Sequence, residues 1–152
     1  MLKQKIKELF ANDCSGHDYW HSIRVLNIAE KISKTEKCNN YIIMIAALLH
    51  DTDDIKIFET KDYENARCIM SECHLTEDTI DNVIEIIKEI SFKGTETTSP
   101  KSIEGKIVQD ADRLDAMGGL LNLKITYTYS LLIHCLQIPR RSQNTQKRSF
   151  CI

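Results

Sequence analysis

Glycine and proline are scarce in this 152-residue chain, at five and two residues. So little turn punctuation disfavours many short strands and favours a few long helices. No apolar run approaches the roughly 20 residues needed to cross a bilayer. The stretch Met1–Phe10 is broken by Lys and Glu and lacks the apolar region of a signal peptide. No Cys-x-x-Cys pair occurs. The six cysteines (Cys14, Cys38, Cys68, Cys73, Cys135 and Cys151) are dispersed, which suits free thiols in a reducing compartment rather than a disulfide framework. A cytoplasmic protein with no membrane segment is therefore expected. Acids are missing from the end of the chain. Residues 1–116 hold 15 Lys and Arg against 22 Asp and Glu, whereas residues 117–152 hold five and none. The acidic part argues against a nucleic-acid partner, because phosphate contacts need a basic face. The basic end, set among Ser, Gln and Asn, reads as an unstructured tail.

What is present is ordinary for one globular domain: 42% apolar and 28% charged residues. Helical spacing runs through residues 2–11, then from Asp18 to about Lys34, where Trp20, Ile23, Leu26, Ile28 and Ile32 recur. Asn39 and Asn40 break the chain. A helix from about Tyr41 to Asp51 follows, apolar on nearly all sides and so expected to be central. A helix over about Lys61–Cys73 comes next. Thr76 with Glu77 and Asp78 starts another, carrying Ile80, Val83, Ile84, Ile87 and Ile90. After a polar loop from Ser91 to Lys101, a last helix holds Ile103, Ile107, Leu114 and Met117. The expected fold is an all-α bundle of about six helices.

Three of these segments carry residues suited to one chemistry. His21 lies on the second helix, the adjacent pair His50-Asp51 ends the apolar helix, and Asp112 lies on the last. Two imidazoles and two carboxylates suit a divalent transition metal with positions left open for water. His21 and Arg24 stand three apart on neighbouring rows of one face. Arg24 is thus a candidate for binding a phosphate or for pairing with an acid. Asp54, four residues past His50, is placed to orient or deprotonate a metal-bound water. Asp112 and Asp115 share a helix face, so Asp115 is a candidate support for the ligand, while Asp110 is turned away by roughly 200°.

These segments resemble the HD-domain superfamily of metal-dependent phosphohydrolases, and most of all its small bacterial members that act on nucleotides. The stretches that carry the likeness run from Gly16 to Val25 (GHDYWHSIRV), Ala46 to Asp54 (AALLHDTDD), Ile90 to Gly94 (ISFKG) and Glu104 to Ala116 (EGKIVQDADRLDA). The resemblance implies His21, His50, Asp51 and Asp112 as metal ligands and Asp54 as the water-activating group. Many relatives have Glu at the latter position. It places Lys93 and Arg113 where they could neutralise phosphate or form structural ion pairs. His17 and Asp18 would support the site. The implied metal is manganese, magnesium, iron, nickel, cobalt or zinc. The implied reaction is hydrolysis of a small phosphate ester or anhydride such as a nucleotide. A catalytically impaired remnant that keeps the metal is the alternative.

The likeness stops near residue 118. Relatives usually continue in further helices after this motif, whereas the chain here reads Met117-Gly-Gly-Leu-Leu-Asn-Leu-Lys124 and loses its acids. The expected organisation is an HD domain over 1–118 and a divergent, partly disordered segment over 119–152. A shifted reading frame or a natural short form with a replacement element over 119–138 would each account for it.

Overall fold

The computed structural model describes residues 1–11, 18–55, 57–90 and 99–118. These contain six helices and no strand: α1 (Leu2–Leu9), α2 (Tyr19–Ser33), α3 (Asn40–Leu49), α4 (Glu64–Glu72), α5 (Glu77–Ile90) and α6 (103–118). Residues Met1–Gly118 form one unit. The expectations for His17, Lys93 and residues 119–152 lie outside the described residues.

Helix α3 is the centre of the bundle. Asn39 caps it by accepting from the Ile42 N–H at 3.3 Å, and seven of its ten residues are buried. A helix apolar all round must be covered on all sides. Helices α1, α2 and α5 cover most of it with Ile6, with Val25, Leu26 and Ala29, and with Val83, Ile86 and Ile87, and leave Tyr41 and Met44 exposed. Each fully buried Ile or Leu contributes roughly 1.5–3 kcal/mol, so this packing sets where the last residue of α3 stops. The helix ends at Leu49, and His50 and Asp51 follow in a turn.

The remaining ends are fixed by polar contacts across the sequence. Helix α4 begins three residues later than the spacing suggests, because Asp62 and Tyr63 adopt left-handed backbone (φ 50° and 59°). Tyr63 supplies no cap. Asp53 does so instead, accepting the N–H groups of Asn65 and Ala66, both at 2.9 Å. Asn65 in turn donates to the Thr52 carbonyl at 2.8 Å, and the buried Thr52 hydroxyl donates to Leu49 O at 2.7 Å. The turn that carries His50 and Asp51 is thereby tied to α3 and α4 together.

Helix α6 is anchored in the same manner. Glu89, at the end of α5, accepts from the Ser102 N–H at 3.2 Å and from its hydroxyl at 2.5 Å. Glu104 accepts from the Asn39 N–H at 2.9 Å. Ile107, Val108 and Ala111 then bury one face of α6 in the core. On α2, Trp20 departs from the expected apolar stripe. Val25, Leu26 and Ala29 take the core face, and Trp20 is left 62% exposed. No described helix is long and apolar enough to cross a membrane.

Candidate metal centre

The bundle brings the three segments together. Asp18 starts α2 by accepting the His21 N–H at 2.8 Å, which sets His21 in the first turn, facing the end of α3. His21 Nε2 lies 3.2 Å from His50 Nε2, 3.2 Å from Asp51 Oδ2 and 3.4 Å from Asp112 Oδ1. His50 Nε2 lies 3.3 Å from Asp51 Oδ2 and 3.7 Å from Asp112 Oδ1. The ligand atoms of His21, His50 and Asp51 all fall within 4.8 Å of one another, and Asp112 joins the set through both imidazoles. Ligands held about 2.0–2.2 Å from a metal stand about 3.0 Å apart at octahedral angles and about 3.4 Å apart at tetrahedral ones. The edges among His21, His50 and Asp51, 3.2–3.3 Å, match that spacing, and Asp112 stands wider, at 3.4 and 3.7 Å from the two imidazoles.

The outer contacts decide which way the rings present themselves. His50 Nδ1 is 3.0 Å from Ala47 O. A carbonyl only accepts, so Nδ1 carries the hydrogen and the neutral ring turns its Nε2 lone pair inward. His21 Nδ1 lies 2.9 Å from Asp115 Oδ2, another acceptor, with the same result. Arg24 holds Asp115 from the other side, donating through Nε to Oδ1 at 2.8 Å and through Nη2 to Oδ2 at 3.1 Å. Two lone pairs and two carboxylates thus converge on one point, an arrangement that repels itself unless protons or a cation fill it.

Proton affinities respond accordingly. Burial pushes the His21 imidazole down, but its hydrogen bonds to Asp112, Asp51 and Asp115 outweigh this and raise it from 6.5 to about 10. His50 is raised as well, because Asp51 and Asp112 overcome the opposing effect of burial. Burial alone would raise the Asp112 carboxyl, yet His21 and His50 hold it below its usual range. Asp115 is lowered against its own burial by Arg24 and His21. The cluster attracts positive charge strongly, and in a metal-free chain the proton competes for the same lone pairs.

The other expected residues divide into two groups. Asp115 and Arg24 belong to the cluster through the contacts just given, with the acid-pairing option for Arg24 realised. Asp18 is the cap of α2. Asp54 is half-buried in the turn after His50. Its N–H donates to Asp51 O at 3.2 Å and its carbonyl accepts from Ile57 and Phe58 at 2.9 Å. Arg113 instead pairs with Asp110 at 3.8 Å on the exposed side of α6. Asp53, Asn65 and Glu89 brace the centre from outside it, and nothing in their local spacing signals this. A cavity of about 300 Å³ lies elsewhere, bounded by Asn39, Asn82, Glu85, Glu89 and Glu104. It shares no residue with the cluster, and Glu89 and Glu104 are already engaged by Ser102 and Asn39.

Comparison with known proteins places the chain in a family. A family model described as HD domain matches residues 19–117. The uncharacterized protein YpgQ of Bacillus subtilis is 38% identical over 128 residues, which cover 78% of this chain and 60% of that protein. A crystal structure of Bacillus subtilis YpgQ in complex with ADP superposes with a TM-score of 0.61 at 33% identity, covering 76% of this chain and 56% of that one. An HD-superfamily hydrolase from Bacillus thuringiensis gives a TM-score of 0.59 at 37% identity, covering 76% and 55%. The chain therefore spans somewhat over half the length of these relatives.

Proposed function

Because the chain belongs to the HD-domain family, we propose that it is a metal-dependent phosphohydrolase acting on a small phosphate ester or anhydride, of which a nucleotide is the leading candidate. One observation carries the reading. His21 and His50 are both held with Nε2 inward, against two carboxylates, at the spacing of metal ligands. That donor set fits a divalent metal such as manganese, magnesium, iron, nickel, cobalt or zinc. That YpgQ was crystallised with ADP supports a nucleotide in the corresponding site here.

In this proposal His21, His50, Asp51 and Asp112 are the ligands. A divalent metal bound there would lower the pKa of a water and polarise a phosphoryl oxygen. The Asp54 carboxylate, four residues past His50, orients the attacking water and takes its proton. Arg24 spends Nε and one Nη2 hydrogen on Asp115 and keeps further donors for a substrate phosphate, with Lys93 as an additional positive charge. Asp18 caps the first turn of α2, and His17 is proposed to support the metal ligands. Asp115 fixes the ring of His21. Residues 1–118 form the catalytic domain, and 119–152 a divergent segment. The acidic charge of the domain suits a small substrate better than a nucleic acid. The free Cys38, Cys68 and Cys73 suit the reducing cytoplasm.

A colorimetric screen for released phosphate or pyrophosphate tests this directly, with the chain loaded with each metal in turn. Asp54→Ala should keep its metal and lose roughly 10²–10⁴-fold in rate, the usual contribution of a general base. Activity unchanged in Asp54→Ala would remove that residue from the mechanism. No hydrolysis of any nucleotide or sugar phosphate by metal-loaded protein would remove the proposed function.

A further inference from the structure

We infer that Trp20 is the stacking platform for the base of a nucleoside phosphate held at the metal centre. The inference rests on the phosphohydrolase reading above and adds the part of the substrate that metal and arginine do not recognise. Trp20 is the one tryptophan of the chain and is 62% exposed, although an indole is among the side chains that gain most from burial. Its ring is braced at one side by Tyr19, edge-on, with centroids 5.2 Å apart, and Tyr19 itself packs on the core. The indole is thus held in place while most of it stays open to solvent.

Its position ties it to the site. Trp20 directly precedes His21, so the indole leaves α2 about 100° round from the imidazole. It also lies one turn before Arg24, so the two share a helix face. Long helical side chains lean toward the N-terminus, which carries the Arg24 guanidinium back over the turn that bears Trp20. That guanidinium rests on Asp115, and Asp115 rests on His21. An aromatic plane and a cationic group therefore share one strip of α2, next to the row that carries His21. A phosphate at the metal and Arg24 would leave the organic end of the substrate beside the indole. Stacking is available to every nucleobase, because each has a π face, and it is absent for a sugar phosphate. The next exposed positions on this face are Arg24, Asn27 and Lys31. They continue this face of α2 beyond Trp20 in polar groups, where a docking helix face would extend the apolar area.

A single tryptophan makes the test clean. The full chain in magnesium is titrated with ADP and, separately, with ribose 5-phosphate, following Trp20 fluorescence and calorimetric heat together. ADP should change the emission, whereas ribose 5-phosphate should bind without doing so. Trp20→Ala, checked for folding by circular dichroism, should weaken ADP roughly 5- to 150-fold and leave ribose 5-phosphate within about twofold, while Trp20→Phe keeps most of the ADP affinity. ADP binding that leaves the emission unchanged, or Trp20→Ala weakening both ligands alike or neither, overturns the inference while leaving the hydrolase reading intact. Absence of heat from either ligand in the wild-type chain overturns both.

Discussion

Replacing Gly105 with alanine tests how α6 is seated, and two opposed effects must be weighed. Alanine is the better helix former, by about 1 kcal/mol at an interior position and less in a first turn. Against this, a Cβ at residue 105 would lie 2.7 Å from Glu89 Oε2, 2.8 Å from Ser102 Oγ and 2.9 Å from Pro100 Cβ. Contacts that short force movement. Glu89 is not free to swing away, because the same oxygen accepts from the Ser102 N–H and hydroxyl, and the Ser102 hydroxyl accepts from the Gly105 N–H at 3.0 Å. Overpacking costs typically 1–3 kcal/mol, and a displaced Glu89 would leave the Ser102 donors unpaired at a further cost of about 1 kcal/mol each. The expected net loss is therefore about 1–3 kcal/mol. Urea unfolding read by circular dichroism gives that number. The double variant Glu89→Ala/Gly105→Ala should show coupling, with the second substitution less damaging once the carboxylate is gone. A neutral or stabilised Gly105→Ala, or strictly additive losses, would refute this seating of α6.

Asp115→Ala frees His21 Nδ1 and should weaken metal binding roughly 10- to 100-fold, as loss of a group that orients a ligand usually does; competition with a fluorescent chelator reads it, and unchanged affinity would count against the proposed ring orientation. The pH dependence of the metal-free chain has a definite sign. His21 is raised from 6.5 to about 10 in the fold, so its contribution is complete below about pH 6.5 and is lost as pH rises toward 10. Asp112 is lowered, so its contribution is present above its ordinary value of 3.8 and is lost as pH falls. Urea midpoints in chelator should therefore decline from pH 6.5 to 10, while metal affinity climbs over the same interval, because the metal needs the unprotonated imidazoles. A flat midpoint across that interval would contradict the coupling.

Much of the fold is legible in the sequence because it rests on local rules. The helical spacing, the Asn39 cap of α3 and the Thr76 start of α5 each arise from neighbouring residues, and six helices follow from them. Ser102 caps α6 locally, but the cap of α4 and the brace on Ser102 are not legible in this way. Asp53 reaches helix residues 12 and 13 positions ahead, and Glu89 reaches Ser102 across 13. Only the packed bundle brings such partners together, and no period in the sequence reports them. The delayed start of α4 has the same origin, since the left-handed Asp62 and Tyr63 carry no glycine or asparagine signal. Within the site, residue types and spacing suffice to mark His21, His50, Asp51 and Asp112 as a set. They leave Arg24 divided between phosphate and acid, and it is the fold that brings Asp115 within 2.8 Å of it. Trp20 looks like one more member of an apolar stripe until the exact angle of α2 places it outside.

The metal content of the purified, gel-filtered chain, measured by plasma mass spectrometry beside Asp51→Ala, tests the centre most directly. About one divalent metal per chain is expected in the wild type and none in the variant, since removing a ligating carboxylate from a preformed site removes its affinity. Equal metal in both, or none in a folded wild-type chain after reloading, would contradict a metal centre built from His21, His50, Asp51 and Asp112.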